Sequence, residues 1–239
     1  MQKQAQRKDM VKRFSLLHRF LHWPVMLGFI GLGITGFALY FSGSWFGRGL
    51  GWLVGGASHL TWLHRAFAVM TYAAVFIHLL WLAYYKLVLK GRWTGPDSMF
   101  PRAKDFKDLA QHIKYFFAKG GPPKFERFSY VEKIDYYAVL IGIHTMGVTG
   151  LILWFPEFFS QFMPGWFINL ALVLHLYEAI IAVAIKFVIH IFTVHFRPPL
   201  WPAQTSIFTG GMPLDELKHE HGAQYERLAQ EAGQEGAES

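Results

Sequence analysis

Histidine carries the metal chemistry open to this chain. Its 239 residues include twelve histidines and no cysteine. That composition excludes disulfides, cysteine-ligated iron–sulfur clusters and covalent haem attachment through C-x-x-C-H. His175, His190 and His195 lie in one apolar run, Asn169 to Phe196, long enough to cross a bilayer as a helix. Ionisable groups in such a run are costly and point to function. His175 and His190 are fifteen positions apart, about 22 Å along an α-helix and about 60° in azimuth. A second apolar run carries His64 and His78, fourteen positions apart, about 21 Å and about 40°. With the two runs crossing in the same direction, His64 pairs in depth with His175, and His78 with His190. A protohaem needs one ligand on each face, so two helices facing each other across a porphyrin suffice. A lone histidine on an apolar helix is more often a satisfied core residue than a ligand. Two pairs matched in spacing and depth favour bis-histidine haem ligation instead. His195 is about 140° around an α-helix from His190 and cannot serve the same haem.

The elements that must position these residues are four spans. The chain is 53% hydrophobic and 16% charged, too apolar for an ordinary soluble domain. A basic stretch over residues 1–19 precedes spans at about 20–41, 60–89, 134–155 and 167–196. The connection over 90–133 holds ten Lys or Arg, the one over 42–59 only Arg48, and Pro156 to Trp166 none. The basic residues alternate sides, which places both termini, the 90–133 connection and the 198–239 tail in the cytoplasm. The net charge of +7 is then a property of cytoplasmic loops rather than a sign of nucleic-acid binding. Within the long connection, Lys104 to Phe117 has apolar residues at 106, 109, 110, 113, 116 and 117. That pattern fits an amphipathic helix lying on the membrane surface or against a partner. Leu214 to Ala232 is expected to form a short helix in the tail. The fold class is therefore an all-α membrane protein, a four-helix transmembrane bundle binding stacked b-type haems. Glycines at 28, 31, 33 and 36 and at 142, 147 and 150 would let helices or a flat macrocycle approach closely.

The segments RFSLLHRFLHW, LTWLHRAFAV, EKIDYYAVLIGIHTMGVTGLILWFP and LALVLHLYEA together resemble cytochrome b subunits that anchor respiratory dehydrogenases. The gamma subunit of formate dehydrogenase and the cytochrome b of [NiFe] hydrogenase are the nearest in pattern, over roughly residues 13–197. The resemblance implies that His64 and His175 hold the outer haem and that His22 and His190 hold the inner one. Spacing favours His78 with His190, so three arrangements stay open: His78–His190, His22–His190, or a third haem between His22 and His195. The resemblance also implies a quinone site at the inner haem, near His22, His195, Arg19 and Arg13, with menaquinone or ubiquinone as substrate. His18 reads as a basic flank and His144 as structural, while Glu178 is either a buried carboxylate near the outer haem or a packing contact.

Functionally, two stacked haems span most of a bilayer, and the chain carries no nucleotide-binding loop or catalytic domain of its own. It is read as a membrane-anchoring subunit in the bacterial cytoplasmic membrane. Its partners would be a periplasmic iron–sulfur or multihaem subunit, a catalytic subunit, the quinone pool and membrane lipid. The alternative is a free-standing cytochrome b, for example a superoxide:quinone oxidoreductase. A transporter would call for broken helices or an internal repeat, and neither is seen in the sequence.

Overall fold

The computed structural model describes residues 10–196 and 204–235. Among these, residues 16–81 and 139–196 form one compact unit; residues 10–15, 82–138 and 205–235 form another.

The first unit holds the spans. Helix α1 covers Leu16–Tyr40 with Pro24 inside it. After Ser44, whose hydroxyl accepts from the Gly47 amide as an N-cap, come α2, Trp45–Leu53, and α3, Ala57–Leu87. The remaining spans are α5, Tyr130–Trp154, and α7, Gly165–Ala184, preceded by the short α6, Pro156–Phe159. The intervening α4, Ala103–Phe116, belongs to the other unit. Four helical stretches, Leu16–Tyr40, Ala57–Leu87, Tyr130–Trp154 and Gly165–Val194, are long and apolar enough to cross a membrane. At most 22% of the residues in their most apolar windows are buried, and none in the last. Apolar surface facing outwards on every span is what hydrocarbon, rather than water, will tolerate. The chain is a helical membrane protein.

Small residues bring these helices together. A side chain at Gly28 would collide with Thr71, and one at Gly31 would meet the Phe67 ring at 2.5 Å, joining α1 to α3. Gly147 leaves the same room for Tyr72 between α5 and α3, and Gly142 for the Glu178 carboxylate, 2.8 Å away, between α5 and α7. Gly33 meets Val183, and Phe29 lies 6.4 Å from Phe187, joining α1 to α7. In each pair the contact positions rise on one helix as they fall on the other, so contacting neighbours are antiparallel.

Helix α7 does not continue as an α-helix. It passes into π-helical turns over Ile185–His190 and again over Phe192–Phe196, with Ile191 between them. The Ile191 amide donates to the Lys186 carbonyl, a bond one residue longer than an α-turn. Azimuths derived for an α-helix therefore fail beyond Ala184. The expected 60° between His175 and His190, and the 140° between 190 and 195, are both corrected. Bonding from i to i+5 brings backbone position 195 round by about one turn from 190. The side chain of His195 lies outside the described residues.

The second unit is polar and has a buried arginine at its centre. Strand β1, Met10–Lys12, pairs antiparallel with β2, Gly211–Pro213, with Val11 opposite Met212. The tail supplies α8, Ser206–Thr209, before β2, then α9, Leu214–Glu220, and α10, Gly222–Glu235. The tail is thus packed structure, with Met212 and Leu217 fully buried, where the sequence suggested one short helix. Arg13, expected beside a quinone, is only 3% exposed and serves this packing instead. Its guanidinium donates to Gln224 at 3.2 Å, Glu132 at 3.3 Å and the Arg127 carbonyl at 2.5 Å. Glu132 also closes a capping box with Ser129, accepting from the Ser129 amide at 2.7 Å while the Ser129 hydroxyl accepts from the Glu132 amide at 3.2 Å. One arginine therefore ties the N-terminal strand, the start of α5 and the tail into one network.

His221 completes that network as a neutral imidazole. Its Nδ1 donates to the Glu126 carbonyl at 2.7 Å, leaving Nε2 to accept from Arg13, 3.0 Å away. Burial, and then the Arg13 charge, hold its pKa below the ordinary value, with Glu132 opposing. The folded unit thus binds fewer protons than the unfolded chain as pH falls below about 6.5. Amide-exchange protection over 10–13 and 205–230, taken relative to the intrinsic rate at each pH, should fall between pH 7 and pH 5, and His221→Gln should flatten that dependence. A slope unchanged by the substitution would remove His221 as its cause.

Candidate functional site

The site is assembled from two helix pairs that meet at two histidines. His64 on α3 and His175 on α7 are half-buried, and their ring centroids are 6.4 Å apart. An imidazole nitrogen sits about 2 Å from a metal it ligates, and the ring centre about 1 Å further. Two rings on opposite sides of one iron are then about 6 Å apart between centres. The spacing of His64 and His175 fits a single iron between them.

Hydrogen bonding fixes which nitrogen each ring offers. Thr35 donates its hydroxyl proton to the Gly31 carbonyl at 2.6 Å. A hydroxyl has one proton, so its 2.9 Å contact with His64 Nδ1 is one in which Thr35 accepts. Thr149 does the same, donating to the Thr145 carbonyl at 2.7 Å and accepting from His175 Nδ1 at 3.0 Å. Both imidazoles are held as Nδ1–H tautomers with the Nε2 lone pair available. A ligand histidine is normally oriented in this manner by a partner on its other nitrogen. Each ring also lies against a glycine. A Cβ at Gly36 would be 3.2 Å from His64 Cε1, and one at Gly150 would be 3.2 Å from His175 Cε1.

The two halves are copies of one pattern. GFIGLGITG over 28–36 and GIHTMGVTG over 142–150 share G-x-x-x-x-G-x-T-G. Gly28, Gly33, Thr35 and Gly36 thus correspond to Gly142, Gly147, Thr149 and Gly150. The neighbours correspond as well: Gly33 meets Val183, eight residues after His175, and Gly147 meets Tyr72, eight residues after His64. An approximate two-fold relates α1 and α3 to α5 and α7 and passes between the two histidines. The sequence was read as lacking an internal repeat, and this corrects that reading. Thr35 and Thr149 were missed as site residues, although the repeated G-x-T-G would have exposed them.

The other candidate histidines fall into two groups. His78 is next to His18, with ring centroids 5.7 Å apart, and is stacked on Trp81 at 6.3 Å. His18 meets Trp81 edge-on at 4.4 Å, so it belongs to an aromatic cluster rather than to a basic flank. His22 on α1 and His190 at the end of the first π-turn are each half-buried, as is Arg19. His144 donates to the Leu140 carbonyl at 2.7 Å and packs on Tyr72, which satisfies it within the bundle. Arg65, beside His64, lies 4.8 Å over the Trp154 ring, a cation–π contact between α3 and α5. An apolar cleft of about 400 Å³ adjoins Thr149, lined by residues that include Ile152, Phe167 and Leu174. Among the described residues no three or more His, Cys, Asp or Glu gather as a metal cluster.

A four-span helical bundle with two opposed, hydrogen-bonded imidazoles defines a membrane cytochrome of the b type. Consistent with this, residues 13–210 match the family of prokaryotic cytochromes b561, and the chain belongs to that family. It is accordingly a membrane electron-transfer protein that carries haem b. A search of curated proteins finds no match.

Two substitutions examine the geometry directly. Gly36→Val or Gly150→Val places a branched side chain against an imidazole in a helix that is otherwise unchanged. Each should reduce bound haem in the purified protein while leaving its helical circular dichroism intact. Full haem content in both variants would show that the imidazoles do not need these positions.

Proposed function

We propose that the chain is the membrane-anchoring di-haem cytochrome b subunit of a respiratory oxidoreductase. It passes electrons between an iron–sulfur or multihaem subunit on the periplasmic side and the quinone pool of the bacterial cytoplasmic membrane. The observation that carries the reading is the His64–His175 pair, 6.4 Å apart and held by Thr35 and Thr149. These histidines would hold the haem at the outer site. His190, with His78 or His22, would hold the second.

A bound haem supplies reversible one-electron chemistry. The protein's contribution is what its own side chains do around it. Thr35 and Thr149 hold the imidazole protons on Nδ1, so each Nε2 presents an unprotonated donor. Gly36 and Gly150 let the rings seat against the backbone of α1 and α5. His18 meets Trp81 edge-on at 4.4 Å, an aromatic, polar-edged pair of the kind that can border a quinone ring. Both termini and the 90–133 connection face the cytoplasm in this reading, as the distribution of basic residues requires. Menaquinone or ubiquinone fits the site equally on chemistry.

The first test is extraction in mild detergent, followed by haem quantification per chain and identification of co-eluting proteins. Two haems and a hydrophilic redox partner are expected. A protein that purifies alone and reduces quinone with superoxide would establish the free-standing alternative. His64→Ala and His175→Ala should each remove the same haem, visible as the same missing component in a redox titration. Loss of different components would refute the shared site.

The threonines give an independent readout. Thr35→Val or Thr149→Val strands an imidazole N–H, and supporting bonds of this kind contribute roughly 10–100-fold in metal-site affinity. Haem retention on dilution should fall, the midpoint potential should shift, and Thr→Ser should restore both. Unchanged potential and retention in both valine variants would leave the hydroxyls as helix-packing groups only.

A further inference from the structure

Helix α4 is inside out for a helix surrounded by water. Its polar side is turned to the protein. Asp105 accepts from Lys133 Nζ at 2.9 Å, and Asp108 from Lys104 at 2.7 Å. Lys104 also donates to the Lys124 carbonyl, and His112 Nδ1 is 3.0 Å from the Tyr130 hydroxyl. Asp108 is buried. The apolar side is turned away: Phe106 is 72% exposed, Ile113 51%, Phe116 83% and the following Phe117 66%. A soluble helix buries the stripe at i, i+3, i+4 and i+7 and exposes its charges. Here the ion pairs hold the helix with the opposite face outward, so the apolar arc needs a cover other than its own unit.

Three features identify that cover as lipid. Lys107 and Lys114 are exposed and share the edge of the apolar arc, where long stems lie along apolar surface while the ammonium groups reach headgroups. Residues 88–102 and 117–129 join α4 to two candidate membrane spans, and the longer of these connections reaches at most about 50 Å when fully extended. The helix is thus tethered close to a bilayer at both ends. The neighbouring exposed side chains include Tyr115 and Trp93, residue types that favour the membrane interface.

We propose that α4 is an interfacial helix docked on an anionic lipid surface. Phe106, Ile113, Phe116 and Phe117 lie at the headgroup–acyl boundary, and Lys107 and Lys114 engage anionic headgroups. The proposal does not depend on how haem is ligated. Because the chain has no native cysteine, single nitroxide labels can be placed in the full-length protein without background substitutions. Labels at Ile113→Cys, Phe116→Cys and Gln111→Cys are compared in nanodiscs of phosphatidylcholine with phosphatidylglycerol, using oxygen and a water-soluble nickel chelate as relaxation agents. Haem absorbance in each variant verifies folding. The labels at 113 and 116 should favour oxygen over nickel several-fold more than the label at 111. Pure phosphatidylcholine, or Lys107→Gln with Lys114→Gln, should reduce that ratio. Equal nickel access at all three positions would overturn the proposal by placing the face in water. Labels at 113 and 116 shielded from both agents would overturn it by placing the face against a protein, and a ratio indifferent to lipid charge would remove the headgroup contacts.

Discussion

The pairing of His64 with His175 depends on where two threonine protons go. Each hydroxyl gives its only proton to the carbonyl one turn back in its own helix, so toward the imidazole it can only accept. The direction of that bond decides the tautomer of His64 and His175, and with it which nitrogen is free. In hydrocarbon the arrangement is self-consistent, because a polar hydrogen without a partner costs far more there than at a wet surface. The glycine after each threonine removes the Cβ that would push the ring away. Thr-Gly is therefore one device, a hydroxyl to orient the ring and a gap to seat it. The device occurs twice, on α1 and on α5.

The repeat explains why two histidines on diagonal helices come together, with their ring centroids 6.4 Å apart. If α1 positions its partner on α3 through Thr35 and Gly36, a copy of that arrangement on α5 and α7 positions His175 in the same manner. A two-fold between them then brings the rings together from opposite sides. The repeat is compatible with a haem protein and does not revive a transporter, since the two copies converge on one site lined by imidazoles. The lateral contacts of Gly33 and Gly147 are part of the same device, since they set how far apart the two halves stand.

Much of this was legible before any coordinates. The four spans follow from hydropathy and length, and the His64–His175 pair follows from matched depth, because α-helical rise is uniform up to Ala184. Two features were not legible. Arg13 looked like a membrane flank because a basic residue near a span usually is one. Its burial depends on Gln224 and His221, more than two hundred residues away in sequence, and no local pattern reveals such a partner. The inverted face of α4 was equally hidden. The periodicity locates an apolar stripe, whereas the ion pair between Asp105 and Lys133 determines which way it is turned.

The π-turns are where the two-fold fails. Helix α3 stays α-helical from Ala57 to Leu87, whereas its counterpart α7 widens from Ile185 onward. His78 and His190 therefore sit in different helix types, and their spacings from His64 and His175 differ by a single residue. A wider turn delays azimuth relative to an α-helix, so the extra residue between His175 and His190 is partly absorbed by the change of helix type. One end of the bundle is thus built as a symmetric pair, each histidine held by a threonine. The other is asymmetric, contains His18 and Trp81, and has backbone geometry of a kind that recurs at functional sites.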